Sequence, residues 1–237
     1  MPRVRLFLDR TLSDGEAVTL DRDRSHYLLN VMRLGRGDGL EVFDGRTGAY
    51  PATIAEAGRK AAVLALGALE RPMRIPPDLW LLFAPIKKAR TDFIVEKAAE
   101  LGARRVQPVR TELTNSERVR ADRLRAHAVE AAEQCGGTFV PEVAGMMPLA
   151  GVLDAWPSGR ALVFCDETLA GPASGWDAVP PGPAAILIGP EGGFSESERR
   201  RIAGLGHPVS LGPRILRADT AAVAALTLWQ RGFGDWT

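Results

Sequence analysis

The chain has 237 residues, of which 46% are hydrophobic and 25% charged, and its formal net charge is +1. This length allows one or two domains, and the composition is that of an ordinary globular protein. No apolar run approaches the roughly 18 residues of a membrane span, and residues 1–10 lack the apolar core of a signal peptide. We therefore expect a cytoplasmic protein that does not cross a membrane.

The cysteine and histidine content argues against a metal site. Cys135 and Cys165 are the only cysteines and belong to no metal-binding motif, so both are expected to be small buried hydrophobes. The three histidines, His26, His127 and His207, are far apart in the sequence. We predict that the protein binds no metal ion.

The first 70 residues or so have the pattern of short strands separated by turns, with one helix from Ser25 to about Leu34. The clearest strands are at residues 4–8, 17–20, 40–43 and 61–66. Several short strands with few helices favour a small β-barrel. Three prolines within residues 70–77 indicate a linker, so we place the domains at residues 1–72 and 78–237.

The second domain alternates strand-like and helix-like segments, which predicts an α/β fold with a parallel sheet. Its predicted strands are residues 79–84, 105–109, 161–165, 184–188 and 208–211. Its predicted helices are residues 91–101 and 118–135, a short helix opened by a capping box at 195–198, and a terminal helix to about residue 231. Asp219 is the expected N-cap of the terminal helix.

A glycine-rich turn, Gly189-Pro190-Glu191-Gly192-Gly193, follows one of these strands and precedes the capped helix. A ligand commonly binds at this place in an open α/β sheet, and glycine lets it approach the backbone closely. The turn matches neither a Walker A loop nor the dinucleotide motif GxGxxG. The alternative is a tight strand–helix connection that binds nothing.

A second loop runs from Leu211 to Thr220 and places Arg214 and Arg217 just before the terminal helix. The N-terminus of a helix is already electropositive, so an arginine there indicates an anion or an electron-rich base nearby. The alternative is an ordinary ion pair between Arg217 and either Asp219 or Glu191. If the two loops meet, they form one pocket for a nucleotide-like ligand.

Several polar residues elsewhere are candidates for contact with RNA. A cluster of cations follows the strand at 79–84, and it is also consistent with a solubilising loop. The small domain offers a basic and aromatic helix, and a glutamine precedes a Gly-Gly turn; ordinary solvated surface is the alternative for both. These candidates are Lys87, Lys88, Arg90, His26, Arg33 and Gln134.

Taken together, these motifs resemble the small-subunit ribosomal RNA methyltransferase E family, of the SPOUT class of knotted methyltransferases. The resemblance rests on residues 187–195 and 211–221, together with 26–33, 37–38, 43–45, 92–102 and 130–136. It covers nearly the whole chain in the right order. Two positions depart from the family pattern: Asp219 stands where Glu is usual, and Leu113 to Ser116 replace a common Arg-Ser.

The resemblance implies an N-terminal PUA-like barrel that binds RNA and a C-terminal α/β domain whose last segments form a trefoil knot. It implies a homodimer that methylates N3 of a uridine in 16S ribosomal RNA within the assembled small ribosomal subunit. It also implies S-adenosylmethionine as the methyl donor, bound by the two loops. The residues expected to bind this cofactor are Leu187, Ile188, Gly189, Gly192, Gly193, Leu211, Gly212, Ile215, Leu216 and Ala218.

Such a reaction needs neither a metal nor a covalent nucleophile, because the donor carries an activated methyl group. The proton on N3 must leave, and Arg217 is our candidate for stabilising the uridine anion, held by Glu191 or Asp219. A carboxylate that accepts the proton directly is the alternative. Two other functions stay open: methylation of another RNA site, and RNA binding or ribosome assembly without catalysis.

Overall fold

A computed structural model of the chain describes residues 4–58, 61–115, 119–171 and 174–236. The chain divides into two compact units. The N-terminal unit is Met1–Ile75 together with Ala132–Phe139, and the C-terminal unit is Pro76–Ala131 together with Val140–Thr237. The division near residue 75 lies in the expected linker, whereas the inclusion of residues 132–139 in the first unit was not predicted.

The N-terminal unit is built on a six-stranded sheet. Its strands are β1 (Arg5–Phe7), β2 (Ala17–Thr19), β3 (Gly39–Phe43), β4 (Gly48–Ala57), β5 (Ala62–Leu66) and β6 (Arg71–Pro72). The order is β1-β3-β4-β5-β2, with β6 against β4, and only the pair of β1 and β3 is parallel. Leu6 and Val18, from the strands at the two ends of this order, are both buried in one core, as in a strongly curved sheet.

Strand β4, the longest strand of the unit, was not predicted from the sequence. Its first residue is Gly48 and it contains Pro51, and both residue types weaken a strand prediction. Gly48 is required because a Cβ atom there would lie only 2.1 Å from the carbonyl oxygen of Arg71 on β6. The strand forms because Tyr50 and Ile54 contribute alternating side chains to the buried core.

The helical segment of this unit starts and ends earlier than predicted. Helix α1 spans Arg22–His26 and is capped by Asp21, whose carboxylate accepts the backbone N–H of Arg24 at 2.8 Å. A π-helical turn, Tyr27–Val31, continues the chain directly. The prediction of a single helix from Ser25 to about Leu34 was therefore wrong at both ends: the cap at Asp21 sets an earlier start, and the helical segment already ends with the π-helical turn at Val31.

The C-terminal unit has the predicted alternation and an all-parallel sheet of seven strands. The strands are β7 (Leu79–Phe83), β8 (Arg105–Arg110), β9 (Glu142–Val143), β10 (Met147–Pro148), β11 (Ala161–Cys165), β12 (Ala184–Ile188) and β13 (Gly206–Val209). The helices are α2 (Lys88–Glu100), α3 (Ala121–Cys135), α4 (Leu149–Asp154), α5 (Glu196–Ala203) and α6 (Ala218–Phe233). The order is β10-β8-β7-β12-β11-β13, and β9 pairs with β8.

The central strand β12 is buried along its whole length, which explains its continuous run of apolar residues. On one face its Ile186 packs with Trp229 of α6, and on the other its Leu187 packs with Phe194.

The predicted start of α3 at Arg118 lies outside the described residues. Cys135, at the end of α3, is exposed, so the prediction that it is buried was wrong.

The end of α3 belongs to the N-terminal unit because Arg5 holds it there. The Arg5 guanidinium donates hydrogen bonds of 2.6–3.0 Å to the carbonyl oxygens of Ala132, Glu133 and Gly137. Carbonyls at a helix C-terminus lack partners within the helix, and an arginine is a favourable cap for them. Arg5 also donates to Glu41 at 2.6 Å.

Glu41 is shared between two arginines, because Arg71 donates to the same carboxylate at 2.6 Å. Burial opposes ionisation of Glu41, but the hydrogen bonds and charges of Arg5 and Arg71 hold its pKa below the usual value.

No helix in the described part of the chain is both long and apolar enough to span a membrane.

Candidate functional site

A cavity of about 410 Å³ lies at the carboxyl ends of β11, β12 and β13. These three parallel strands are neighbours in the sheet, with β11 between the other two. Ligands of open α/β sheets bind in the crevice at this edge. The loops after all three strands line the cavity.

The two loops singled out in the sequence meet in this cavity, as predicted. The lining includes Ile188, Gly189, Glu191, Gly192 and Gly193 from the first loop, and Leu211, Gly212, Ile215, Leu216, Arg217 and Ala218 from the second. Leu187 is not part of the lining. It is fully buried on the opposite face of β12 from Ile188, in the cluster that contains Phe194 and Ile202.

The first loop is held in shape by its own residues. The ring of Phe194 lies against Gly189, where a Cβ atom would come within 3.0 Å of it. The N–H of Gly193 donates to the carbonyl of Pro190 at 2.9 Å. Ser195 then begins α5 with the predicted capping box, in which Ser195 and Glu198 bind each other's backbone N–H groups.

The second loop turns at Gly212, whose φ of 119° is disfavoured for any residue with a side chain. The N–H of Gly212 donates to the buried hydroxyl of Ser210 at 3.2 Å. In contrast to Gly193 and Gly212, the backbone N–H groups of Gly192, Ile215 and Leu216 have no hydrogen-bond acceptor among the described residues. These donors at the cavity wall are available to a ligand.

A third loop, after β11, was not predicted to take part, yet Cys165, Asp166 and Ala170 line the cavity. Burial opposes ionisation of Asp166, but hydrogen bonds from Thr168 and Arg199 hold its pKa below the usual value. Asp166 is therefore an ionised carboxylate at neutral pH. Its position directly after a buried strand was the available signal in the sequence.

Burial raises the pKa of the half-buried Cys165 thiol to about 12. The thiolate is the nucleophilic form of cysteine, so this side chain is inert at neutral pH. Cys165 provides a neutral wall for the cavity.

Arg90, rather than Arg217, is close to the two acidic candidates. The Arg90 guanidinium lies 3.7 Å from Glu191 and 3.8 Å from Asp219. Arg217 is exposed and forms an ion pair with no carboxylate in the described ranges. The expectation that Glu191 or Asp219 holds Arg217 was wrong, because Arg90 projects from α2 towards both acids.

Asp219 is not the N-cap of α6, contrary to the prediction. The cap position is Arg217, which provides no side-chain hydrogen bond, and Asp219 lies in the first turn. A carboxylate is favourable there because of the helix dipole. Its side chain is mostly buried and accepts the N–H of Thr220 at 2.9 Å.

The remaining RNA-binding candidates are exposed. Lys87 and Lys88 lie at the start of α2, where the helix dipole disfavours cations, so their position suits an anionic partner. His26 and Arg33 flank the π-helical turn of the N-terminal unit. Gln134 lines a second cavity, within that unit, of about 300 Å³.

Comparisons with known proteins place the chain in a family. Residues 73–230 match the RNA methyltransferase domain family, and residues 20–66 match the RNA methyltransferase PUA domain. The chain is 34% identical, over 88% of its length and 71% of the relative, to the ribosomal RNA small subunit methyltransferase E of Synechocystis. This chain belongs to the ribosomal RNA small subunit methyltransferase E family.

Solved structures extend this similarity to the fold. A ribosomal RNA small subunit methyltransferase E from Neisseria gonorrhoeae, bound to S-adenosyl methionine, has a TM-score of 0.89 at 29% identity over 99% of this chain and all of its own. A Legionella pneumophila protein in complex with the same cofactor has a TM-score of 0.90 at 27% identity with the same coverage. The predicted combination of a PUA-like domain and a SPOUT-type α/β methyltransferase domain is thereby confirmed.

Proposed function

We propose that this chain transfers a methyl group from S-adenosylmethionine to N3 of a uridine in 16S ribosomal RNA of the assembled small subunit. The observation that carries the proposal is the single cavity that both predicted loops line at the carboxyl ends of β11, β12 and β13. Family membership supports the class of reaction, and the cofactor-bound relatives support the donor.

The cavity fits the cofactor. Its volume of about 410 Å³ is within the range of small-molecule sites. The free N–H groups of Gly192, Ile215 and Leu216 suit the adenine and ribose, with Ile188, Leu211 and Leu216 as apolar walls. Asp166 adds an ionised acceptor for hydroxyl or amino groups. Gly189, Gly193, Gly212, Ile215 and Ala218 complete the set that we assign to cofactor binding.

When bound, S-adenosylmethionine supplies a methyl group already activated by its sulfonium sulfur. The protein must then expose the uracil N3 and remove its proton. Arg217 lines the cavity and has no carboxylate partner among the described residues, so its charge can stabilise the uridine anion that forms when N3–H ionises. Glu191 also lines the cavity, and its carboxylate is our candidate to accept the proton.

The assignment of RNA contacts follows from charge and exposure. We assign Lys87 and Lys88 to phosphate groups, and His26, Arg33 and Gln134 to RNA bound by the N-terminal unit. The division of labour is an RNA-binding domain at about residues 1–72 and a transferase domain at 78–237. We further infer a cytoplasmic homodimer whose C-terminal segments form a trefoil knot.

The test is methyl transfer to small ribosomal subunits from a strain that lacks the family enzyme, followed by mass mapping of the modified nucleotide. We expect one new methyl group on N3 of a uridine. A methyl group at a different atom or on another RNA would leave the enzyme class intact but refute the target. Absence of both cofactor binding and transfer would refute the proposal as a whole.

Arg217→Ala tests the role given to this side chain. We expect turnover to fall to background while the dissociation constant for S-adenosylmethionine, measured by calorimetry, changes little. Arg231→Ala, at an exposed position near the end of the same helix, is the control. Equal loss of cofactor binding and turnover in Arg217→Ala would mean that Arg217 builds the pocket instead.

A further inference from the structure

The N-terminal unit has a cavity of its own, which the proposed reaction does not use. It measures about 300 Å³ and lies between the π-helical turn, the β1–β3 edge of the sheet and the end of α3. Tyr27 comes from the turn and Met32 directly follows it, Arg5 and Glu41 come from the sheet, and Gln134 comes from α3.

The backbone beside this cavity is unusual in two ways. Tyr27–Val31 forms a π-helical turn, closed by the N–H of Met32 on the carbonyl of Tyr27 at 2.9 Å, and such turns occur frequently at functional sites. Arg33 follows with a φ of 56°, the sole positive value at a non-glycine residue in the described ranges. The N–H of Leu34 donates to the carbonyl of Leu28 at 2.9 Å, so Arg33 ends the helical segment at a position where glycine is usual.

The cavity has a rigid, polar floor whose formal charges cancel. Arg5 and Arg71 both donate to the carboxylate of Glu41, and the carboxylate of Glu133 accepts the backbone N–H of Phe7 at 2.8 Å. Arg71 also donates to the carbonyl of Gly136 at 3.0 Å. A phosphate group gains little electrostatic attraction from a lining whose charges cancel, and burying its charge costs free energy. A neutral polar group avoids this cost of desolvation.

The open side of the cavity offers groups that match a nucleobase. Tyr27 provides an aromatic ring and Met32 an exposed apolar side chain. The exposed amide of Gln134 forms no hydrogen bond with any residue that the structure describes. An amide presents both a donor and an acceptor, as the edge of a base does. The positive charge of Arg33 is adjacent to Met32 in the chain and outside the lining.

We propose that this cavity binds one unpaired nucleobase of the substrate RNA, at a place other than the methylated uridine. Tyr27 stacks on the base, the Gln134 amide hydrogen-bonds its edge, and Arg33 contacts the adjoining phosphate. The inference rests on the proposed function for the identity of the RNA as substrate. It adds a second recognition point, which selects single-stranded RNA because a paired base cannot enter.

The experiment measures binding of the full-length chain to a fluorescent single-stranded RNA of about ten nucleotides. The variants are Tyr27→Leu, which removes the ring but keeps an apolar side chain, and Gln134→Ala, with Thr53→Ala on the exposed side of β4 as the control. We expect about tenfold weaker binding for Tyr27→Leu and about fivefold for Gln134→Ala. S-adenosylmethionine binding should be unchanged in all three.

Arg33→Gly separates function from fold, because glycine adopts the observed φ without strain. We expect a melting temperature equal to or above that of the wild type and weaker RNA binding. The slope of log K for RNA binding against the logarithm of the salt concentration should be smaller in magnitude by about one. A lower melting temperature with unchanged RNA affinity would show that Arg33 serves the fold alone.

Photocrosslinking with 4-thiouridine placed in the same RNA locates the base. Crosslinks to peptides that contain Tyr27, Met32 or Gln134 support the proposal. It is overturned if these peptides are not labelled, if double-stranded RNA binds equally well and with the same sensitivity to the variants, or if both variants bind like the wild type.

Failure of this site and failure of the proposed function are distinguishable. If wild-type protein methylates ribosomal RNA and the Tyr27→Leu and Gln134→Ala variants do so with unchanged KM, the nucleobase site is refuted and the function stands. If RNA crosslinks to the cavity but no methyl transfer occurs with any ribosomal RNA, the function is refuted and the site stands.

Discussion

At the scale of single residues, Arg90 is the cation that lies close to both acidic candidates of the site. Its guanidinium lies within 3.8 Å of both Glu191 and Asp219. These contacts are long and partly exposed, so their contribution to stability is small. Their effect is on charge: the single positive charge of Arg90 partly offsets the two acids, and Arg217 has no carboxylate partner among the described residues.

We predict that Arg90→Ala lowers turnover about fivefold, because Glu191 then draws on the charge of Arg217. Cofactor affinity should change little. Combining Arg90→Ala with Glu191→Gln should restore part of the loss, since the competing carboxylate is gone, unless Glu191 is itself the base. Steady-state kinetics of the single and double variants measure this coupling, and additive losses would contradict it.

The ionisation of Asp166 should make the stability of the protein depend on pH. Its pKa is lower in the folded protein than in the unfolded chain, so its ionised form stabilises the fold above the unfolded pKa near 3.8, and this contribution is lost as the pH falls towards the folded pKa. We expect Asp166→Asn to reduce the free energy of unfolding by about 1–2 kcal/mol at pH 7. Urea unfolding should show the difference shrinking below about pH 4, and a constant difference would refute this assignment.

At the scale of secondary structure, the helix ends connect the loops to the sheet. Helix α5 begins with a complete capping box directly after the glycine loop, whereas α6 begins at Arg217 with no side-chain cap. The N-terminus of α6 is therefore left open beside the cavity that Ala218 and Ala221 line. At an uncapped helix N-terminus of this kind, backbone N–H groups without partners in the helix can donate hydrogen bonds to a ligand.

We expect Ser195→Ala to lower the free energy of unfolding by about 1 kcal/mol, because the cap of α5 is lost. Ser195→Asp should retain most of it, since Asp is an equally good N-cap. Chemical denaturation of the two variants and the wild type makes the comparison. Equal destabilisation by both substitutions would show that the serine matters for packing and not for capping.

The sequence predicted elements well where a local signal was strong. The buried strands β11 and β12 and the cap at Ser195 were located to the residue, because apolar runs and capping boxes are short-range patterns. β4 was missed because its glycine and proline are tolerated only through partners in β3 and β6. The role of Arg90 and the part played by Asp166 depend on which loops converge, which no local pattern encodes.

At the scale of the whole molecule, the N-terminal unit is discontinuous in sequence. Arg5 joins residues more than a hundred positions apart through its bonds to the end of α3, and its guanidinium also lies 4.6 Å from the centre of the Phe43 ring. Arg5 and Glu41 are each about nine-tenths buried. Breaking such a pair is costly, because the partner charge stays buried.

We predict that Arg5→Ala lowers the free energy of unfolding by about 3 kcal/mol. It should also accelerate amide hydrogen exchange across residues 132–139 more than in the rest of α3. Arg10→Ala is the control, since its ion pair with Glu16 is largely exposed. Exchange in residues 132–139 that matches the wild type would refute the role given to Arg5.

The discontinuous N-terminal unit constrains how the chain can fold during its own synthesis. Residues 1–75 leave the ribosome first, but the segment that completes their unit, residues 132–139, follows more than fifty residues later. At 5–20 residues per second this gap lasts on the order of several seconds. During that interval Arg5 and Arg71 lack the carbonyl acceptors that residues 132–137 provide. The N-terminal unit therefore stays incomplete until residues 76–131, about a third of the second unit, have been translated.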